Sequence, residues 1–211
     1  MGLNEENELE KVYIGGEAIV KIYRDRVEKI RKKKKYRIDE LDEAIRKYRT
    51  KHEAKILSIA RKAGVPTPIV LDVREDTIIM EKIEGTPLKD IINKSLSRKV
   101  GELVAKLHDA NIIHGDITPL NLILKDNKIY FVDFGLSFIE DRIEPKGVDI
   151  HVYFESLKAS FDNWKELKEA FIDGYKKYKK WKEVLERVKE IEGRGRYIER
   201  KEKKSFNVSS L

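Results

Sequence analysis

The 211-residue chain has no cysteine, which excludes disulfides and thiolate metal sites. It has no apolar run near the roughly 20 residues of a membrane span and no signal peptide, so a cytoplasmic protein is expected. Its net charge of +7 comes from 45 Lys+Arg against 38 Asp+Glu. Lys29, Arg31, Lys32, Lys33, Lys34, Lys35 and Arg37 lie in one stretch without an anion and match that whole excess. Positive charge gathered in one place attracts polyanions such as nucleic acid, and salt weakens the attraction.

The first part of the chain predicts a small sheet with one long helix. Ala18 to Tyr23 reads as a strand entered through Gly15-Gly16, and Val27 to Arg31 as its returning partner. Asp39 is the expected N-cap of a helix to about Lys62, with Leu41, Ile45, Tyr48, Ile56 and Ala60 near the 3.6-residue period. Gly64 and the Pro66-Thr67-Pro68 segment end it. Two short strands follow, Ile69 to Val73 and Thr77 to Met80, and Glu81 to Gly85 is the expected hinge.

Beyond the hinge the pattern turns helical. Ser97 is the expected cap of a helix with Val100, Leu103, Val104 and Leu107 on one face. A hairpin of Leu122 to Leu124 and Ile129 to Val132 surrounds the turn Lys125 to Lys128. Asp162 or Asn163 starts a helix with Trp164, Leu167 and Phe171, and a last helix carries Trp181, Leu185, Val188 and Ile191 up to Gly193. The expected division is 1–83, 84–192 and a basic tail 193–211.

His114-Gly115-Asp116-Ile117-Thr118-Pro119-Leu120-Asn121, followed by Val132-Asp133-Phe134-Gly135, carries the chemistry. Two carboxylates and a carboxamide stand at the spacing phosphoryl transfer from ATP needs. Asp116 would orient and deprotonate an attacking hydroxyl or water, while Asn121 and Asp133 would hold Mg2+. These oxygen ligands suit a hard cation that keeps much of its water. His114 is expected to pack or hydrogen-bond within its loop. His52 and His108 have no partner histidine, so no zinc site is expected.

This order of elements resembles a minimal bilobal protein kinase, an α+β fold with a small antiparallel-sheet N-lobe carrying one long helix and a mostly helical C-lobe. Gly15-Gly16-Glu17-Ala18, Lys35-Tyr36-Arg37, Leu41-Asp42, Arg49 to Ala54, the His-Gly-Asp loop, Lys146-Gly147-Val148-Asp149 and Arg194-Gly195-Arg196 narrow the likeness. They resemble the small atypical serine/threonine kinase of the KEOPS complex, whose eukaryotic counterpart is the p53-related protein kinase.

The resemblance implies that Lys29 holds the α- and β-phosphates of ATP, with Glu53 as its ion-pair partner. Lys21 also lies on an expected strand and competes with Lys29 for that role. It further implies that the backbone at Gly15 and Gly16 covers the phosphates, and that Met80, Glu81 and Ile83 form the adenine hinge with Met80 as gatekeeper. Asp149 would brace the catalytic loop. Lys32, Lys33, Lys34, Lys35, Arg194 and Arg196 would contact tRNA or a partner. Implied partners are a threonylcarbamoyl-transferase subunit, another small KEOPS subunit and tRNA, in the formation of N6-threonylcarbamoyladenosine.

Two departures from ordinary kinases bear on substrate. Thr118 stands where many serine/threonine kinases place a lysine, and only eleven residues separate Gly135 from Gly147. So short a segment leaves little room to present a peptide. The expectation is therefore an ATPase and atypical kinase; the alternatives are a non-catalytic scaffold between transferase and tRNA, or a Rio-type protein kinase.

Overall fold

The computed structural model describes residues 8–208, with side chains from 8 to 194. It divides into two compact units: the chain up to Ile91 with Leu120–Ser137, and Ile92–Pro119 with the chain from Phe138 on. Residues 84–91 and the 120–137 hairpin, expected with the helical part, thus group with the sheet.

In the first unit, β1 (Leu9–Ile14), β2 (Ala18–Tyr23), β3 (Arg26–Arg31), β4 (Val70–Val73) and β5 (Thr77–Glu81) form one antiparallel sheet in the order β1-β2-β3-β5-β4. β1 was not anticipated: its polar–apolar mix, Leu-Glu-Lys-Val-Tyr-Ile, is exposed throughout and has no buried face to betray a period. The single long helix α1 spans Asp39–Lys62, as the spacing predicts. Its N-cap is Ile38 without a side-chain cap bond, one residue before the expected Asp39.

The buried side of α1 differs from the expected stripe. Leu41 and Tyr48 are exposed, whereas Asp42, Thr50, Glu53, Ala54, Ile56, Leu57 and Ala60 are buried. Charges replace part of the apolar face because they are paired. Asp42 accepts the Arg46 Nε–H at 2.7 Å and the Lys34 N–H at 3.1 Å. The Arg46 hydrogen bond within the helix holds its carboxyl below the usual aspartate range, and the Lys34 contact fastens the basic segment to the helix. Ala54, Ile78 and Met80 form a core with Val27 and Val70 packed on it. Gly64, at φ +82°, turns the chain after the helix.

β6 (Thr86–Pro87) leads into the one-turn helix α2 (Leu88–Ile91). It pairs with β8 (Leu122–Lys125), which pairs with β9 (Lys128–Phe131). Asp126 and Asn127 both have positive φ, 48° and 60°, so the hairpin closes in a two-residue turn of type I′.

The second unit is mainly helical: α3 (Lys94–Asp109), α4 (Ile143–Ser160), α5 (Trp164–Tyr175) and α6 (Trp181–Val208), with β7 (Ile112–Ile113) paired antiparallel to β10 (Phe138–Ile139). α3 starts three residues before Ser97. Asn93 caps it, accepting the Leu96 N–H at 3.0 Å, while Ser97 is buried and donates to the Leu167 carbonyl at 2.8 Å. α4 went unread because a Gly and a Pro in its first turns obscure it, and its buried positions include Lys146 and Asp149. α6 runs through Gly193, where an end was expected. The glycine's penalty of about 1 kcal/mol is small beside the surrounding helix formers.

Tyr153, Phe154, Phe171, Tyr175 and Tyr178 make the aromatic centre of this unit. α3 and α5 approach closely at Gly101 and Gly174: a Cβ on Gly101 would run into the Phe171 carbonyl, and one on Gly174 into the Arg98 carbonyl. Neither obstacle is a flexible side-chain end, so Gly101→Val must push the helices apart. We expect it to destabilise the protein by about 3 kcal/mol, at the upper end for overpacking, read as a lower urea midpoint. An unchanged midpoint would show that the helix pair tolerates separation.

Candidate active site

Strand alternation selects the lysine. On β2, Val20 and Ile22 line a cleft of ≈ 540 Å³ in the first unit, as do Val27 and Lys29 on β3. Lys21, between Val20 and Ile22, therefore falls on the other face. Lys29 donates to Glu53 Oε1 at 2.7 Å and to Asp133 Oδ1 at 2.6 Å. Lys29 and Glu53 are buried; the Asp133 side chain is half exposed. Burial disfavours the Lys29 ammonium, but the Glu53 and Asp133 carboxylates outweigh it and hold the group above the ordinary lysine value. Lys29 is thus a permanent cation in a mostly apolar recess.

The same cleft contains Asn121 and Asp133 from the hairpin and Met80, Glu81 and Ile83 from the end of β5, with Tyr13, Leu57, Leu120, Ile123 and Val132 among its apolar walls. Asn121 ends a short 3-10 turn, Pro119–Asn121, and its carbonyl accepts the Val132 N–H at 3.0 Å. That bond closes the hairpin at its open end, next to Asp133. Asp133 has φ +61°, a left-handed conformation that aspartate tolerates better than most residues. Its Oδ1 also accepts the Gly135 N–H at 3.2 Å, and a Cβ on Gly135 would sit 3.1 Å from Oδ1 and 3.2 Å from Lys29 Nζ. A side chain there would crowd the ion pair, which accounts for glycine at this position.

At the hinge, the Glu81 N–H donates to the Ile69 carbonyl at 2.8 Å, and Glu81 Oε2 accepts the Ile69 N–H at 3.1 Å. Those groups are occupied within the sheet. Gly15 and Gly16 form the turn between β1 and β2 and lie outside the cleft lining, which reaches Tyr13 and Val20 on the adjoining strands.

The basic run is more occupied than a solvated face. Lys34 Nζ donates to the Gly16 carbonyl at 2.8 Å and to Glu17 at 2.7 Å, and Lys32 Nζ to the Gly15 carbonyl at 3.3 Å. Lys33 pairs with Asp39 at 2.9 Å; Lys35 is exposed. Arg194 is exposed on α6, and Arg196 lies outside the residues whose side chains are described. A second cation on Glu53 was not foreseen: Arg31 Nη2 donates to Glu53 Oε2 at 2.5 Å. The signal was available, since Lys29 and Arg31 are two apart on one strand and share a face.

Asp116 belongs to the second unit, on a loop fixed by a buried carboxylate. Asp149 accepts the His114 N–H at 2.9 Å on Oδ2 and the Gly115 N–H at 2.8 Å on Oδ1. Gly115 has φ +83°, a conformation that favours glycine. His114 Nδ1 accepts the Asp116 N–H at 3.3 Å, so this histidine packs within the loop as expected. His108 lies 3.2 Å from Asp149 through Nε2 and 2.7 Å from the Tyr175 hydroxyl through Nδ1. Burial pushes the Tyr175 hydroxyl well above the ordinary tyrosine range, so it stays a donor. One tautomer satisfies the chain: Tyr175 O–H to Nδ1, and Nε2–H to Asp149.

The donor set fits magnesium. Asn121 and Asp133 offer one carboxamide and one carboxylate. Among the described residues no group of three His, Cys, Asp or Glu could hold a metal by itself. Two hard oxygen ligands are what a cation shared with phosphates and water takes from protein.

A kinase-type fold with a buried lysine paired to the glutamate of its long helix and to Asp133 defines the class as protein-kinase-like. A family model described as the RIO domain matches residues 4–145. The chain is 64% identical over 190 residues to a probable serine/threonine-protein kinase BUD32 homolog of Archaeoglobus fulgidus, covering 90% of this chain and 97% of that protein. It is 42% identical to the KEOPS complex subunit Bud32 of Pyrococcus abyssi, covering 82% and 84% respectively. The chain belongs to the Bud32 family of RIO-domain proteins.

It is also 43% identical to a probable bifunctional tRNA threonylcarbamoyladenosine biosynthesis protein of Methanoculleus marisnigri, covering 87% of this chain but only 35% of that protein. The chain thus spans about a third of the length of the bifunctional relative. The Rio2 kinase of Chaetomium thermophilum shares the fold at TM-score 0.63 and 16% identity, over 87% of this chain and 72% of that one. No helix among the described residues is long and apolar enough to cross a membrane.

Proposed function

We propose that the chain binds Mg-ATP in the cleft of its first unit and catalyses transfer of the γ-phosphoryl group, to water or to a serine or threonine hydroxyl. The observation that carries this reading is the buried Lys29 held between Glu53 and Asp133 in a cleft that also contains Asn121. Lys29 supplies a fixed positive charge for phosphate oxygens, and its pairing with Glu53 sets its position. Asn121 and Asp133 hold the cation, which neutralises charge on the transferring phosphoryl. Asp116 orients the attacking hydroxyl or water and accepts its proton. Met80, Glu81 and Ile83 receive the adenine.

The family relationship supports a biological setting: action with a threonylcarbamoyl-transferase and another small KEOPS subunit on tRNA, in making N6-threonylcarbamoyladenosine. Lys33, Lys35, Arg194 and Arg196 are the proposed nucleic-acid or partner contacts, in the cytoplasm. The short segment between Gly135 and Gly147 favours hydrolysis over phosphorylation of a peptide.

The test is γ-labelled ATP with the purified chain, following free phosphate and protein-bound label together, with and without transferase and tRNA. Phosphate release that responds to transferase or tRNA and falls at least about 10²-fold in Asp116→Ala is the expected result. Turnover equal in Asp116→Ala and wild type would remove Asp116 from the reaction. No turnover by the wild type in any mixture would favour the scaffold reading.

A further inference from the structure

Glu53 is 2% exposed and uses both oxygens on different cations: Oε1 on Lys29 at 2.7 Å and Oε2 on Arg31 at 2.5 Å. Arg31 is itself 7% exposed, and Nη2 also donates to the Arg49 carbonyl of α1 at 3.3 Å. Its Nε is buried without a hydrogen-bond partner among the described residues. Lys29, by contrast, divides itself between Glu53 and the half-exposed Asp133.

We infer that Arg31 is a positioning residue, the standing partner of Glu53 that leaves Lys29 available to a nucleotide. The inference rests on the nucleotide-site reading above. A cation that draws on Asp133 releases Lys29 from that carboxylate, and a phosphate group then competes with Glu53 for the ammonium and weakens the Lys29–Glu53 pair. Glu53 cannot turn to water, and a buried carboxylate stripped of its only cation is strongly unfavourable. With Arg31 on Oε2 the carboxylate keeps a cation throughout. The Arg31 contact to the Arg49 carbonyl also ties β3 to the backbone of α1, so the helix holds its glutamate in place whether or not nucleotide is present.

The experiment measures equilibrium binding of Mg-ADP and thermal melting of the nucleotide-free chain. Arg31→Gln removes the charge while keeping a donor, and is expected to weaken Mg-ADP binding roughly tenfold or more, within the range of coupling between neighbouring groups. Arg31→Lys restores a cation and should recover most of that loss. In a Glu53→Gln background the Arg31→Gln effect should vanish, which a general loss of stability would not reproduce. Wild-type affinity in Arg31→Gln overturns the inference.

A second measurement does not depend on how well that variant folds. Lys29→Met should melt within roughly 3 °C of wild type, because Arg31 still covers Glu53. A much larger drop means that Lys29 alone sustains the carboxylate and overturns the inference. If the wild type fails to bind Mg-ADP, the nucleotide-site reading fails, and the melting comparison still decides the role of Arg31.

Discussion

Asp133→Asn is expected to lower phosphoryl transfer by about 10³-fold, equivalent to about 4 kcal/mol of transition-state stabilisation, with melting close to wild type. The carboxylate is the one anionic ligand proposed for the cation, and a carboxamide is a far weaker partner for Mg2+. Stability should change little because the side chain is half exposed and Lys29 retains Glu53. Asparagine is preferable to alanine as the replacement: the residue sits at φ +61°, which asparagine accepts and alanine resists. Turnover measured against Mg2+ concentration checks the assignment, since raising Mg2+ should recover part of the lost rate. Wild-type turnover in Asp133→Asn would move the metal site elsewhere.

The second large effect concerns stability. Asp149→Ala is expected to destabilise the second unit by about 3–5 kcal/mol, because it strands the buried His114 amide, the half-buried Gly115 amide and the His108 Nε2–H. For a chain of this size that is a fall in melting temperature of about 6–20 °C. Activity should fall further than the folded fraction accounts for, since Asp116 stands one residue beyond the released Gly115 amide. Asp149→Asn should be intermediate, having one carbonyl oxygen in place of two. A fall in melting temperature under about 2 °C in Asp149→Ala would mean that the loop holds itself.

Asp116, Asn121 and Asp133 are proposed as a set from the spacing that phosphoryl transfer demands, and spacing along a chain survives without coordinates. α1 and the 122–131 hairpin were equally plain: one has 24 residues bounded by Gly64, the other a polar Asp-Asn turn between apolar runs. The inner face of α1 was not. A hydrophobic period cannot announce that Asp42 and Glu53 are buried while Leu41 and Tyr48 face outward, because the burial of each carboxylate draws on cations from before the helix, Arg37 for Asp42 and Lys29 and Arg31 for Glu53.

What the sequence determined by itself is local: the helix and hairpin that periodicity and turn chemistry impose, and the motif spacing on which the proposed phosphoryl-transfer site rests. The tertiary structure alone decided which cation meets which anion. Lys29 and Lys21 are equivalent as letters, and only the pairing of β2 with β3 turns one into the cleft and the other away. The basic run reads as free charge until Lys32 and Lys34 are found on the glycine turn. Ion pairs between residues far apart in sequence carry no periodic signature; they exist because folding removes water and leaves each buried charge needing a partner.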